Sequence, residues 1–177
     1  MELIKTKLND CFILKPAIFE DARGYFYESY NQRKFQELSG IGMEFKQDNQ
    51  AKSNRGILRG LHFQKGDHAQ AKLVSVIQGK VIDVAVDMRP SSSTYLQHIA
   101  VEHSAENHLQ LFVPRGFAHG YVVLENDTIF FYKCDNFYNK AAEGGVIYND
   151  PTLAINWQID EKEMLLSEKD LLLPRIK

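Results

Sequence analysis

Val113-Pro114-Arg115-Gly116-Phe117-Ala118-His119-Gly120 is the stretch on which the fold turns. Its Pro-x-Gly-x-x-His step leads straight into the apolar run Tyr121 to Leu124. Working outward, short apolar segments recur on both sides. Leu73 to Ile77, Val81 to Met88, Leu96 to Val101 and Leu109 to Val113 precede it; Ile129 to Lys133, Val146 to Tyr148 and Ile155 to Trp157 follow. Turn-rich separators such as Pro90-Ser91-Ser92-Ser93 and Glu125-Asn126-Asp127-Thr128 divide them. Many short strands at this spacing predict an all-β barrel or sandwich with helices only at its periphery. Gln78-Gly79-Lys80, between two of the runs, predicts a hairpin. Nearer the start, Phe12-Ile13-Leu14 reads as a strand stopped by Pro16, and Asp21 to Gly24 as a turn into a strand over Tyr25 to Tyr30. Asn31 is placed to cap a helix carrying Phe35 and Leu38 and closed by Ser39-Gly40.

Bulk properties narrow the function. The 177 residues, 44% of them hydrophobic, suffice for one substantial core, so residues 1–177 are expected to form a single domain. Net charge is -2, from 21 basic and 23 acidic residues with no basic block, which argues against nucleic acid as a partner. Cys11 and Cys134 are too few for a disulfide framework or a four-cysteine zinc site. The first residues lack an apolar signal core and no later run approaches the roughly 20 apolar residues of a membrane span. A soluble, cytoplasmic protein with no membrane partner is expected.

Polar residues in strand-like surroundings mark the candidate site. In Gly56-Ile57-Leu58-Arg59-Gly60-Leu61-His62-Phe63-Gln64, strict alternation puts His62 on one face with Gly60 and Gln64, and Arg59 on the other with Leu61 and Phe63. Arg59 and His62 then share a wall only if the strand twists or bulges between them, or if Arg59 reaches around an edge. The Phe45 to Ser53 segment carries Gln47, Asn49 and Ala51 on one face, a polar pattern suited to a binding wall.

The Val113 to Gly120 step resembles the second motif of the cupins, double-stranded β-helix (jelly-roll) barrels. Metal-binding cupins pair it with His-x-His and a carboxylate; here His62 is followed by Gln64, and His68, Gln70 and Lys72 occupy the carboxylate region. A lysine ammonium has no lone pair to give and repels a divalent cation, so no metal ligand set is expected. Histidine, lysine and arginine in one pocket suit another chemistry. A base can remove the proton beside a ketone while a cation neutralises the developing enolate, and an acid on the opposite face returns the proton inverted. No cofactor is required.

Asp21-x-Arg23-Gly24-x-Phe26-x-Glu28, Gln47-Asp48-Asn49, Arg59 to Gln64, Lys72-Leu73-Val74, Asp83 to Asp87, Val113 to Gly120 and Asn149-Asp150-Pro151 together resemble the dTDP-4-dehydrorhamnose 3,5-epimerase family. The resemblance implies a cupin homodimer that inverts C3 and C5 of a dTDP-linked 4-keto-6-deoxy sugar on the route to dTDP-L-rhamnose. By position it implies His62 as general base, Asp170 as its orienting carboxylate, Lys72 as enolate stabiliser and Tyr132 as proton donor. It implies that Arg59, His119, Gln47, Asn49, Tyr138 and Glu143 hold the nucleotide sugar, and that Arg23, Phe26 and Glu28 lie on a strand extended toward the partner's site.

Judged as residues alone, each role has a plainer rival. His62 competes with a satisfied core histidine, Lys72 with a solvated lysine, Tyr132 with core packing, and Asp170 with the capping box Ser167-x-x-Asp170. His68, His98, His103 and His108 read as residues of exposed turns or edges. A related epimerase or ketoisomerase of other regiochemistry, and a non-catalytic nucleotide-sugar binding barrel, are the competing functions.

Overall fold

A computed structural model describes residues 1–176. Two sheets face each other. The first orders six strands as β1 (Glu2–Lys5), β2 (Phe12–Lys15), β10 (Gln110–Val113), β7 (Lys72–Gln78), β12 (Thr128–Cys134) and β5 (Gln47–Ser53). The second orders five as β13 (Glu143–Gly145), β6 (Leu58–Gln64), β11 (Phe117–Val123), β8 (Lys80–Asp87) and β9 (His98–Ser104). Consecutive strands thus often lie in opposite sheets, as a jelly roll requires.

Period-two patterning puts three apolar layers in place. Val74, Val76, Val81, Ala85, Leu111, Tyr121 and Phe130 fill the space between the sheets. On β8, Ile82, Val84 and Val86 alternate with those inward residues and pack outside against Tyr148, Leu153 and Trp157. Outside the six-stranded sheet, Phe35 of helix α1 (Gln32–Ser39) packs its ring on Phe112 at 5.5 Å. At 1% exposure, Phe35 contributes roughly 1.5–3 kcal/mol of burial. The helix has the expected ends: Asn31 accepts a bond from the Lys34 N–H, and Gly40 closes it at φ 71°.

Several expectations need correction. Gln78-Gly79-Lys80 is not a hairpin, because β7 and β8 belong to different sheets; Gly79, at φ 77°, turns the chain across the sandwich edge where a Cβ would run into Thr128. A hairpin and a sheet-to-sheet corner carry the same turn residues; what separates them is pairing, β7 with β10 and β12, β8 with β9 and β11. The strand expected over Tyr25 to Tyr30 shrinks to β4 (Gly24–Phe26), paired only with β3 (Phe19–Asp21) in a separate ribbon. Val146 to Tyr148 and Ile155 to Trp157 are not strands; their apolar side chains instead cover the outer face of the five-stranded sheet. No helix is long and apolar enough to cross a membrane among the described residues.

Candidate active site

The alternation of β6 breaks where the site begins. His62 lies opposite His119 and Arg59 opposite Tyr121, so three steps on β6 span two on β11: a β-bulge. The extra residue turns Arg59 and His62 to the same cavity, while Leu58 and Leu61 point together into the outer layer. Gly60 makes this possible. At φ 123° it lies so close to β11 that a Cβ would sit 2.6 Å from Gly120 Cα and 2.8 Å from the His119 carbonyl oxygen.

Two adjoining cavities open at this end of the sandwich, of about 330 and 230 Å³. His62, Lys72 and Tyr132 line both. Arg59, His119, Lys169 and Asp170 complete the first; Gln47, Asn49, Tyr138 and Glu143 complete the second. Register explains the convergence. Tyr132 is opposite Val74 and Asn49, and Cys134 is opposite Lys72 and Gln47, so β5, β7 and β12 turn one row of polar groups inward at the barrel's mouth.

His62 Nε2 lies 2.5 Å from Asp170 Oδ1, and the carboxylate is 4% exposed. Asp170 also belongs to the expected cap, its N–H donating to Ser167 Oγ at 3.2 Å in α2 (Glu168–Leu171). One residue therefore meets both descriptions through different atoms. Burial lowers the His62 pKa against the opposing pull of Asp170, and Lys72 and Lys169 lower it further. Burial also lowers Lys72 and raises Tyr132. On the neighbouring strand, His119 Nε2 lies 2.7 Å from Asp83 Oδ1, a fully buried carboxylate.

Polar side chains lining the second cavity are tied to one another. Gln47 donates from Nε2 to Asn49 Oδ1 at 3.0 Å and accepts the Tyr138 N–H at 3.0 Å. Tyr138 donates its hydroxyl to Glu143 Oε2 at 3.1 Å, and Lys169 donates to the other oxygen of Glu143. Lys169 was not read from the sequence, although its position beside Asp170 on one short turn pointed to it. Arg23, Phe26 and Glu28 are not brought to the cavity: Arg23 pairs with Asp21, Phe26 is 69% exposed, and Glu28 pairs with Lys34 at 2.8 Å. His103, expected at a solvent edge, is 0% exposed, with Nδ1 3.3 Å from Asp83 Oδ2. Its strand, β9, is an edge strand, yet this residue points into the sandwich.

Among the described residues no group of three or more His, Cys, Asp or Glu side chains is disposed to hold a metal ion. Lys72 lines the same cavity as His62 and His119, and its ammonium, with no lone pair to give, does not suit a divalent cation.

Fold and pocket define a cupin-like enzyme with acid–base groups at the mouth of its barrel. The chain belongs to the dTDP-4-dehydrorhamnose 3,5-epimerase family, whose model matches residues 5–177. It is 48% identical over 174 residues to dTDP-4-dehydrorhamnose 3,5-epimerase of Salmonella typhimurium, spanning 98% of this chain and 94% of that one. The crystal structure of the Elizabethkingia anophelis dTDP-4-dehydrorhamnose 3,5-epimerase superposes with a TM-score of 0.96 at 59% identity, covering 99% of this chain and 96% of that one. The Legionella pneumophila dTDP-6-deoxy-D-glucose-3,5-epimerase, solved with dTDP-4-keto-L-rhamnose, superposes with a TM-score of 0.92 at 43% identity, covering 99% and 98%.

Proposed function

We propose that this protein converts dTDP-4-dehydro-6-deoxy-D-glucose to dTDP-4-dehydro-L-rhamnose by inverting C3 and C5, without a cofactor. What carries the reading is the convergence of the His62–Asp170 pair, Lys72 and Tyr132 on the wall shared by the two cavities. The names and the bound product of its relatives support the substrate.

Both reacting carbons flank the C4 ketone, which acidifies their protons. Asp170 engages one ring nitrogen of His62 and so holds the other ready to accept a proton from carbon. Electrons from that C–H bond pass to the ketone oxygen, where the Lys72 ammonium neutralises the enolate. Tyr132 then gives its hydroxyl proton to the carbon from the opposite face. Exchange with water reprotonates tyrosinate and deprotonates imidazolium, leaving the enzyme unchanged. Arg59, His119 and Lys169 supply donors for the diphosphate and sugar; Gln47, Asn49, Tyr138 and Glu143 supply a polar wall for the rest.

The β3–β4 ribbon suits a homodimer. Phe19, Tyr25 and Phe26 are 65%, 57% and 69% exposed, more apolar surface than a free ribbon has reason to show. Docked on a second copy, it would bring Arg23, Phe26 and Glu28 to that copy's cavity.

Turnover in deuterated buffer tests the reaction: the product should carry deuterium at both C3 and C5. Label at a single carbon would indicate a mono-epimerase, and unlabelled, unconverted sugar a binding protein. The pH profile follows from the shifts described above. Because the base works when neutral, kcat/KM should rise through the His62 pKa, set by burial below the ordinary value of about 6.5. The alkaline fall should come from Lys72, below its usual value of about 10.4, since Tyr132 is displaced upward. An acid limb at or above the ordinary histidine value would contradict this assignment.

A further inference from the structure

The Asn149-Asp150-Pro151 block takes no part in lining either cavity, yet Asp150 is only 2% exposed. Both of its oxygens accept backbone N–H groups. Oδ1 takes the Thr152 N–H at 2.8 Å and closes a local turn; Oδ2 takes the Ile176 N–H at 2.7 Å, from the far end of the chain. The same meeting place is stitched twice more. The Ile147 N–H donates to the Pro174 carbonyl at 3.0 Å, and the Leu173 side chain fills the space that a Cβ on Gly145 would need.

These contacts fix one end of the segment that carries Asp170. The other end is fixed at Leu165, whose N–H donates to the Gly56 carbonyl and whose carbonyl accepts from Leu58, both at 2.9 Å. Between the two anchors α2 has only four residues; its Leu171 is 52% exposed and Leu172, just past its end, 83%. A single helical turn has no stability of its own, so its place over His62 depends on its ends.

We infer that Asp150 is a positioning residue for epimerisation, fastening the chain end so that Asp170 stays on His62. The inference rests on the role proposed above for the His62–Asp170 pair. A carboxylate displaced by about 1 Å no longer fixes the imidazole, and misplacement of that order from a remote change costs up to about 10²-fold in rate.

Variants of the full chain test it: Asp150→Ala, Ile176→Pro and Asp170→Asn singly, and Asp170→Asn combined with each of the first two. Ile176→Pro deletes the N–H that Oδ2 accepts and leaves the Asp150–Thr152 turn in place. Each of Asp150→Ala and Ile176→Pro should lower kcat about 10- to 100-fold with KM little changed. Neither should cost anything further in the Asp170→Asn background, because all act through the same carboxylate. A merely structural role would lower the melting temperature with kcat intact, or would multiply with Asp170→Asn, and either result overturns the inference. If Asp150→Ala is too unstable to assay, Ile176→Pro decides by the same comparison. An Asp170→Asn enzyme with normal kcat removes the dyad and this inference with it; a crippled Asp170→Asn beside a normal Asp150→Ala removes the inference alone.

Discussion

His62→Asn is expected to turn over about 10²- to 10⁴-fold more slowly than the natural enzyme while remaining folded, the loss typical of a positioned general base. Its side chain lies at the mouth, 28% exposed, where a smaller amide leaves space for water and no sealed void. Asp170 loses its partner, which should lower stability by roughly 1–3 kcal/mol and leave the sandwich intact. Steady-state rates with the dTDP-4-keto sugar, together with circular dichroism, measure both effects. Deuterium uptake should vanish along with conversion, because no enolate forms. Normal turnover in a folded His62→Asn protein would remove this residue from the mechanism.

His62 and Arg59 also show where reading the sequence stops. Alternation places them on opposite faces, and for a regular strand that rule holds. The bulge that unites them depends on Gly60 meeting Gly120 across two strands, a contact between segments about sixty positions apart that no local pattern encodes. By contrast the inward row Gln47, Asn49 and Ala51 was legible, because β5 is regular and its partner β12 keeps register along all seven residues. The α1 boundaries were legible for the same reason: both caps are local chemistry. Which strands pair was not. Gly79 signals a turn, whereas the choice between hairpin and sheet-to-sheet corner lies in the packing of distant strands. The burial of His103 against Asp83 has the same origin, since an edge strand still turns alternate residues inward.

Tyr132→Phe should separate the two halves of the reaction. Phenylalanine keeps the ring that packs 6.1 Å from Phe130 and lies beneath Lys72 Nζ at 5.6 Å, so the cavity wall and the fold remain. Only the hydroxyl is lost, and with it the proton for the face opposite His62. Inversion should fall about 10²- to 10⁴-fold, the contribution of a positioned acid. His62 still forms the enolate, and imidazolium can return the proton only to the face it came from. Because that proton exchanges with solvent between removal and return, recovered substrate should gain deuterium without changing configuration. This outcome differs in kind from that of His62→Asn, where label and inversion disappear together. Labelled but uninverted sugar from Tyr132→Phe, beside unlabelled sugar from His62→Asn, would establish that base and acid work from opposite faces. If Tyr132→Phe inverts both carbons at the natural rate, the proton must come from another group lining the same two cavities. Loss of label and inversion together would instead assign the hydroxyl to enolate formation and displace Lys72 from that task.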